Sequence, residues 1–231
     1  MALIKLGGGV IDIRGSMAGN TFSRNRFGAY VRARTKPVNP NTSRQQAVRN
    51  RMQALTTAWN QSLSDAQRTA WAQYAAAIPW LNALGEEQYL TGFNMFVRSN
   101  AAILQAGLTQ VNAGPTTLSL PETDPTFAVV GDTAADEVDI TFDNTMDWAN
   151  EDGGAMIISV GQPVNQTRNF FAGPYRYAGV IEGDSVTPPT TGASISSPFS
   201  LDADNRIFVR ARIVRADGRL SQFFRDTVDL T

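Results

Sequence analysis

Asn39–Ala77 reads NPNTSRQQAVRNRMQALTTAWNQSLSDAQRTAWAQYAAA, and its spacing decides how the chain is built. Val48, Met52, Leu55 and Trp59 recur at i, i+4, i+7 and i+11, one stripe of a helix. Arg44, Arg49 and Arg51 lie off that stripe. Thr42 or Ser43 is placed to N-cap the helix. Ser64, with Gln67 three residues on, has the capping-box spacing of a second helix. Trp71, Tyr74, Ala75 and Ile78 form the apolar face of that helix, and Pro79 stops it.

Upstream, residues 1–38 alternate short β-like runs with glycine. Val10, Ile11 and Ile13 form one run, and Thr21 with Phe22 a second. Ala29–Thr35 alternates strictly, with Tyr30, Arg32 and Arg34 on one side and Val31 and Ala33 on the other. The expected product is an extended arm of two or three strands, too poor in apolar residues to fold alone. It must lie on its own helices, its own β domain or a neighbouring subunit. Lys36–Pro40, with two prolines, reads as an extended connector.

Downstream, Trp80–Gln88 reads as a loop and a third helix begins near Thr91. Phe93, Phe96, Val97, Asn100 and Leu104 share its face, and Gly107 suits its end. Residues 39–106 are therefore expected to form a helical domain with Trp59, Trp71, Phe93 and Phe96 as its large core members. Residues 107–117, with Gly114-Pro115, read as a linker that isolates the halves. From 118 to 231 seven short apolar runs recur with turn residues between them: Phe127–Val130, Glu137–Phe142, Ala155–Val160, Tyr175–Ile181, Ser194–Phe199, Ile207–Val214 and Leu220–Val228. This rhythm predicts an antiparallel β-sandwich, with Asp217-Gly218 as a hairpin signal. The fold class is thus α+β.

Composition narrows the function. The 231 residues include no Cys and no His, which removes disulfides, thiolate chemistry, the commonest general base and the commonest metal ligand. No apolar run approaches the roughly 20 residues of a membrane span. Met1–Gly9 lacks the apolar core of a signal peptide, so synthesis in a cytoplasm without membrane insertion is expected. The net charge of −1 hides a division. Residues 1–60 carry ten Lys and Arg against Asp12, a net of +9, and residues 107–231 carry 8 Arg against 17 Asp and Glu, a net of −9. Ends so different meet different surroundings, and one copy's arm could attract a neighbour's acidic part.

Two resemblances carry the reading further. Arg206–Leu230, RIFVRARIVRADGRLSQFFRDTVDL, resembles the last two strands of fibronectin type III domains, which implies an Ig/fibronectin III-like sandwich over about the last 110 residues. Asp143–Trp148 departs from the usual connection between the second and third strands of that family. The first half is similar to a group of tailed-phage and prophage structural proteins. The stretches that carry this are Gly19–Arg26, Tyr30–Arg34, Pro37–Arg49 and Leu90–Arg98. That resemblance implies a role in a virion without a reaction, and it carries over no catalytic residues.

The remaining motifs have bland explanations. Gly7-Gly8-Gly9 is followed by neither a phosphate-binding P-loop nor a dinucleotide fingerprint, and reads as a hinge. Asn41-Thr42-Ser43 fits a glycosylation sequon, but a helix cap explains it. Asp132, Asp136, Glu137, Asp139 and Asp143 lack the calcium-loop pattern and read as a solvated strand face. No enzyme activity, cofactor or metal is expected. The leading expectation is a virion protein assembled in the host cytoplasm. Arg24, Arg26, Tyr30, Arg32, Arg34, Arg44 and Arg49 would fasten it to capsid, neck or tail subunits, with homo-oligomers in the assembly. Arg, 18 of the 20 cations, suits protein contacts through bidentate pairs. Two alternatives are weighed beside it. One is nucleic-acid binding through the basic arm, with Phe27 and Tyr30 stacking. The other is a carbohydrate- or receptor-binding fibre component that uses Trp148, Phe170, Phe171 and Tyr175.

Overall fold

A computed structural model describes residues 2–231 of the chain. The arm is a four-stranded antiparallel sheet of β1 (Ala2–Leu3), β2 (Gly15–Met17), β3 (Asn20–Asn25) and β4 (Gly28–Ala33), in the order β1-β4-β3-β2. The strand beyond the expected meander is β1, which sets Ala2 against Val31 and Leu3 against Tyr30. Phe22 pairs with Val31 and Arg24 with Ala29, while Met17 pairs with Asn20, so these residues share one face. Tyr30 and Arg32 lie on the other. No residue of this sheet is buried, and none joins an apolar core.

Three α-helices follow among the described residues. Helix α1 (Ser43–Thr57) starts at a full capping box. The Thr42 hydroxyl accepts from the Gln45 N–H, and the Gln45 side chain accepts from the Thr42 N–H. It ends in a π-helical turn, Ala58–Ser62. Helix α2 (Asp65–Ala77) has the same box from Ser64 and Gln67. The expected loop after Pro79 contains a small hairpin, β5 (Pro79–Leu81) paired with β6 (Glu87–Tyr89). Helix α3 (Gly92–Gln105) is capped by Thr91 and ends before Gly107, whose φ of +84° a glycine tolerates. Leu55, Trp71, Tyr74, Met95 and Phe96 make the helical core. The stripe of α1 is only half used: Leu55 is fully buried, whereas Val48 and Met52 are 49% and 41% exposed.

The β region holds β7 (Ala128–Asp132), β8 (Glu137–Thr141), β9 (Ala155–Gly161), β10 (Val164–Asn165), β11 (Tyr175–Glu182), β12 (Ala193–Ser196), β13 (Asn205–Val214) and β14 (Phe224–Asp229). One sheet runs β12-β8-β7. The other runs β11-β9-β13-β14, with the short β10 also paired to β13. The sheets share one core: Val129, Val138 and Ile140 from the first, Met156, Ile158, Val160, Ile207, Val209, Ala211 and Ile213 from the second. Trp148, considered above as a surface aromatic, is 1% exposed and fills this core from the short helical turn Asp147–Asn150.

The expected isolation of the two halves is not what the structure has. Ala155, Ile157, Val214 and Leu220 make the outer face of the second sheet apolar. Ala102, Ile103 and Ala106 of α3 cover it, with Leu108 and Val111 packed beside them. The 107–117 segment is docked rather than free. Asn100, fully buried, accepts the Val111 N–H at 2.7 Å and donates to the Val111 carbonyl at 3.0 Å. The Trp71 indole donates to the Asn112 carbonyl at 3.0 Å. Gly114 lies so close to α2 that a Cβ there would sit 2.6 Å from the Trp71 backbone nitrogen and 2.7 Å from the Ala70 carbonyl carbon. Gly114→Ala is therefore expected to destabilise the protein by about 1–3 kcal/mol through overpacking against backbone. Urea unfolding of the full chain measures this; an unchanged midpoint would show that the segment is not held against α2.

Candidate functional site

Among the described residues, Arg24, Arg26, Arg32 and Arg34, the cations picked out in the arm, have no carboxylate partner. Among the described residues, the ion pairs of the arm are Arg14 with Asp12 and Lys5 with Glu86, the latter at 2.7 Å. Arg24, Arg26, Arg32 and Arg34 are all exposed. Arg24 lies on the Phe22 and Val31 face, Arg26 in the β3–β4 turn, Arg32 on the opposite face and Arg34 just beyond β4. Tyr30 is half-buried on the Arg32 face. Two tethers join the arm to the β5–β6 hairpin: the Lys5–Glu86 pair, and a hydrogen bond from the Asn82 amide to the Phe27 carbonyl at 3.2 Å. The Lys5 bond, seconded by Asn82, holds the Glu86 carboxyl below its ordinary range.

The two helix arginines have different fates. Arg49 is used within the chain: its guanidinium donates to Asn41 Oδ1 at 3.0 Å and Asn39 Oδ1 at 2.7 Å, pinning the connector to α1. Arg44 stands on a groove of about 570 Å³ between α1 and strand β11, with Val48, Arg51, Tyr175, Arg176 and Tyr177 around it. Arg51, Arg176 and Tyr177 were not singled out from the sequence, because they come together only where α1 and β11 line the two sides of this groove.

A second basic feature was also missed. On the outer face of β13, Arg210 lies 4.4 Å from the ring centres of both Tyr175 and Phe223, and Arg212 lies 4.9 Å from Phe223. Arg98 of α3 stacks 3.9 Å over Trp80. Below them Phe171 stacks on Phe208 with centres 5.5 Å apart, and Phe171 is itself buried. Burial, with the nearby Arg98 and Arg210 charges, pulls the Arg212 guanidinium down to about 10. Burial lowers Arg98 and Arg210 as well. Aromatic faces here take the place that carboxylates usually hold beside buried cations. Of the aromatics considered for a receptor site, only Phe170, 71% exposed, stands fully in solvent.

The acidic residues gather on the far side. Cross-strand register places Asp132, Glu137 and Asp139 on the outer face of the β12-β8-β7 sheet, around Val130, which is 59% exposed. Asp132 accepts the Ala134 and Ala135 N–H groups, and Asp139 accepts the Ser194 hydroxyl. None of the three is ion-paired among the described residues. No group of three or more carboxylates among the described residues is arranged to hold a metal ion. No described helix is long and apolar enough to cross a membrane.

No protein-family model and no curated protein matches the chain. The site is therefore defined by its own geometry: an arm with unpaired arginines, a basic groove between α1 and β11, and an acidic outer face on the β12-β8-β7 sheet.

Phe223→Ala removes the ring shared by Arg210 and Arg212. It is expected to cost about 1–2 kcal/mol, the scale of two partly desolvated cation–π contacts, read as a lower urea midpoint. The Glu86 tether has a defined pH sense. Because the folded carboxyl sits below its unfolded value, the contribution is present at neutral pH and is lost as pH falls through the folded value. Limited proteolysis should therefore cut Gly7–Lys36 faster in acid, and Glu86→Gln should cut at that faster rate at neutral pH.

Proposed function

We propose that this protein is a non-enzymatic structural component of a tailed-phage virion. Its arm and the open half of α1 fasten it to capsid, neck or tail subunits, and its β region is carried outward. The observation that carries this reading is the arm itself. A four-stranded sheet with no buried residue and four exposed, unpaired arginines has its stabilising burial outside the chain. The similarity of Gly19–Arg26, Tyr30–Arg34, Pro37–Arg49 and Leu90–Arg98 to phage structural proteins points the same way. Arginine supplies planar, weakly hydrated donors suited to carboxylates at a protein interface.

The β region is read as a fibronectin III-like sandwich. What supports this is the pairing: three strands in the order β12-β8-β7 face four in the order β11-β9-β13-β14. These are the fifth, second and first strands opposite the fourth, third, sixth and seventh, when the two-residue β10 is set aside. Because α3 is shared between the helical core and the sheet, helices and sandwich act as one carried body. Attachment then falls to the arm and to α1 residues Arg44, Val48, Arg51 and Met52.

The test replaces Arg24, Arg26, Arg32 and Arg34 together with Gln. Incorporation into particles is expected to fall at least tenfold, about 1.4 kcal/mol, while the unfolding midpoint of the free protein stays unchanged. Unaltered incorporation would overturn the reading. Tight, salt-dependent binding of the free protein to DNA or RNA, lost in the same variant, would assign the arm to phosphates instead.

A further inference from the structure

We infer that the partner of the arm is a second copy of this chain, and that the surface receiving it is the outer face of the β12-β8-β7 sheet. The inference rests on the attachment reading above and names its partner. The arm has an apolar patch on one face, where Phe22 and Val31 pair and Met17 is 67% exposed, with Arg24 on the same face and Arg26 in the adjoining turn, while Arg32 lies on the other face and Arg34 just beyond β4. A matching surface needs an exposed apolar residue with unpaired carboxylates beside it. The outer face of β12-β8-β7 has both: Val130 on the edge strand β7, with Asp139 of the central strand β8 directly across from it and Glu137 and Asp132 alongside, none of the three ion-paired among the described residues. The outer face of the other sheet is excluded, because α3 and the stacked Arg210 and Arg212 already occupy it. The groove between α1 and β11 carries Arg44, Arg51 and Arg176 and would repel the arm.

The contact lies between copies, not within one. The arm is tethered to the β5–β6 hairpin, on the side of the molecule where the helices cover the second sheet. The acidic face looks out from the first sheet. Between them stand the helical layer and the two-sheet core, about 20 Å from layer spacings of about 10 Å each. One patch meeting a different patch on the next copy is a head-to-tail contact, which propagates into a ring or a filament. Each face offers about 200–300 Å², from the strand lengths with spacings of about 4.8 Å and rises of about 3.3 Å. That is below the roughly 800 Å² per partner of a standard interface, so the free chain associates weakly and is strengthened by repetition in an array.

Sedimentation velocity of the full chain tests this at about 0.01 M and about 1 M salt, where the screening length falls from about 30 Å to about 3 Å. The average mass is expected to at least double with rising protein concentration at low salt and to return to the monomer at high salt. The variant R24E/R26E/R32E/R34E and the variant E137K/D139K should each remain monomeric, and mixing the two should restore association. The absence of native Cys gives an independent readout: an Arg24→Cys copy mixed with a Glu137→Cys copy should form a disulfide-linked dimer under mild oxidation. A wild-type chain that is monomeric at all concentrations and both salts overturns the inference. So does association that survives E137K/D139K, or a mixture of the two cysteine variants that forms no cross-linked dimer. Because the readout is the free chain, these failures leave the particle test of attachment standing, and a failed particle test leaves this one standing.

Discussion

Helix α3 is buried on two sides, and the rest of the structure depends on that. Met95 and Phe96 enter the helical core, where Phe96 meets the Trp71 ring at 5.6 Å. Ala102, Ile103 and Ala106 lie on the outer face of the β9–β13 sheet. Between these surfaces Asn100 holds the returning chain through both polar groups of Val111. Small residues where α3 meets the sheet let the helix approach closely, and the buried amide is tolerated because its donors and acceptor are met. A helix used this way cannot turn about its axis without breaking one core or the other. It therefore sets how the helices and the two sheets sit together.

The charges are distributed by the same packing. Arginines within reach of the second sheet are desolvated and covered by Tyr175, Phe223 and Trp80. Carboxylates near the loops are paired, as Arg215 with Glu151 at 2.6 Å and Arg206 with Asp229 at 2.6 Å. Among the described residues left without an ion pair are the arginines Arg24, Arg26, Arg32 and Arg34 of the arm and the carboxylates Asp132, Glu137 and Asp139 of the opposite sheet. Exposed ion pairs contribute little singly. Their place in this molecule is to select and orient contacts rather than to hold the fold.

Much of the local structure was legible. The Ser64–Gln67 box, the Thr42 cap, the stop before Pro79 and the start at Thr91 are short-range chemistry, complete within a few residues. The seven β runs were legible because alternation and turn residues are local as well. Three things were not. Val48 and Met52 belong to the α1 stripe but remain largely exposed, since periodicity marks a face without saying whether anything covers it. Gly114-Pro115 reads as a flexible linker, yet Gly114 is there because α2 passes too close for a Cβ. Arg49 reads as a free surface cation, yet Asn39 and Asn41 claim it across the connector.

One tetrapeptide shows the division most plainly. Val31-Arg-Ala-Arg34 and Val209-Arg-Ala-Arg212 are identical in sequence, and alternation makes each a strand with its arginines on one side. The sequence alone determined that much: helix and strand identity, caps, turns, the absence of His and Cys chemistry, and the basic and acidic poles. The tertiary structure decided what each strand meets. In β13 the Val and Ala side chains enter a core between two sheets and the arginines are stacked among aromatic rings. In the arm the same side chains face no core, and Arg32 and Arg34 stand in solvent without a partner. Backbone preference acts over a few residues, whereas burial and charge pairing depend on segments brought together from far along the chain.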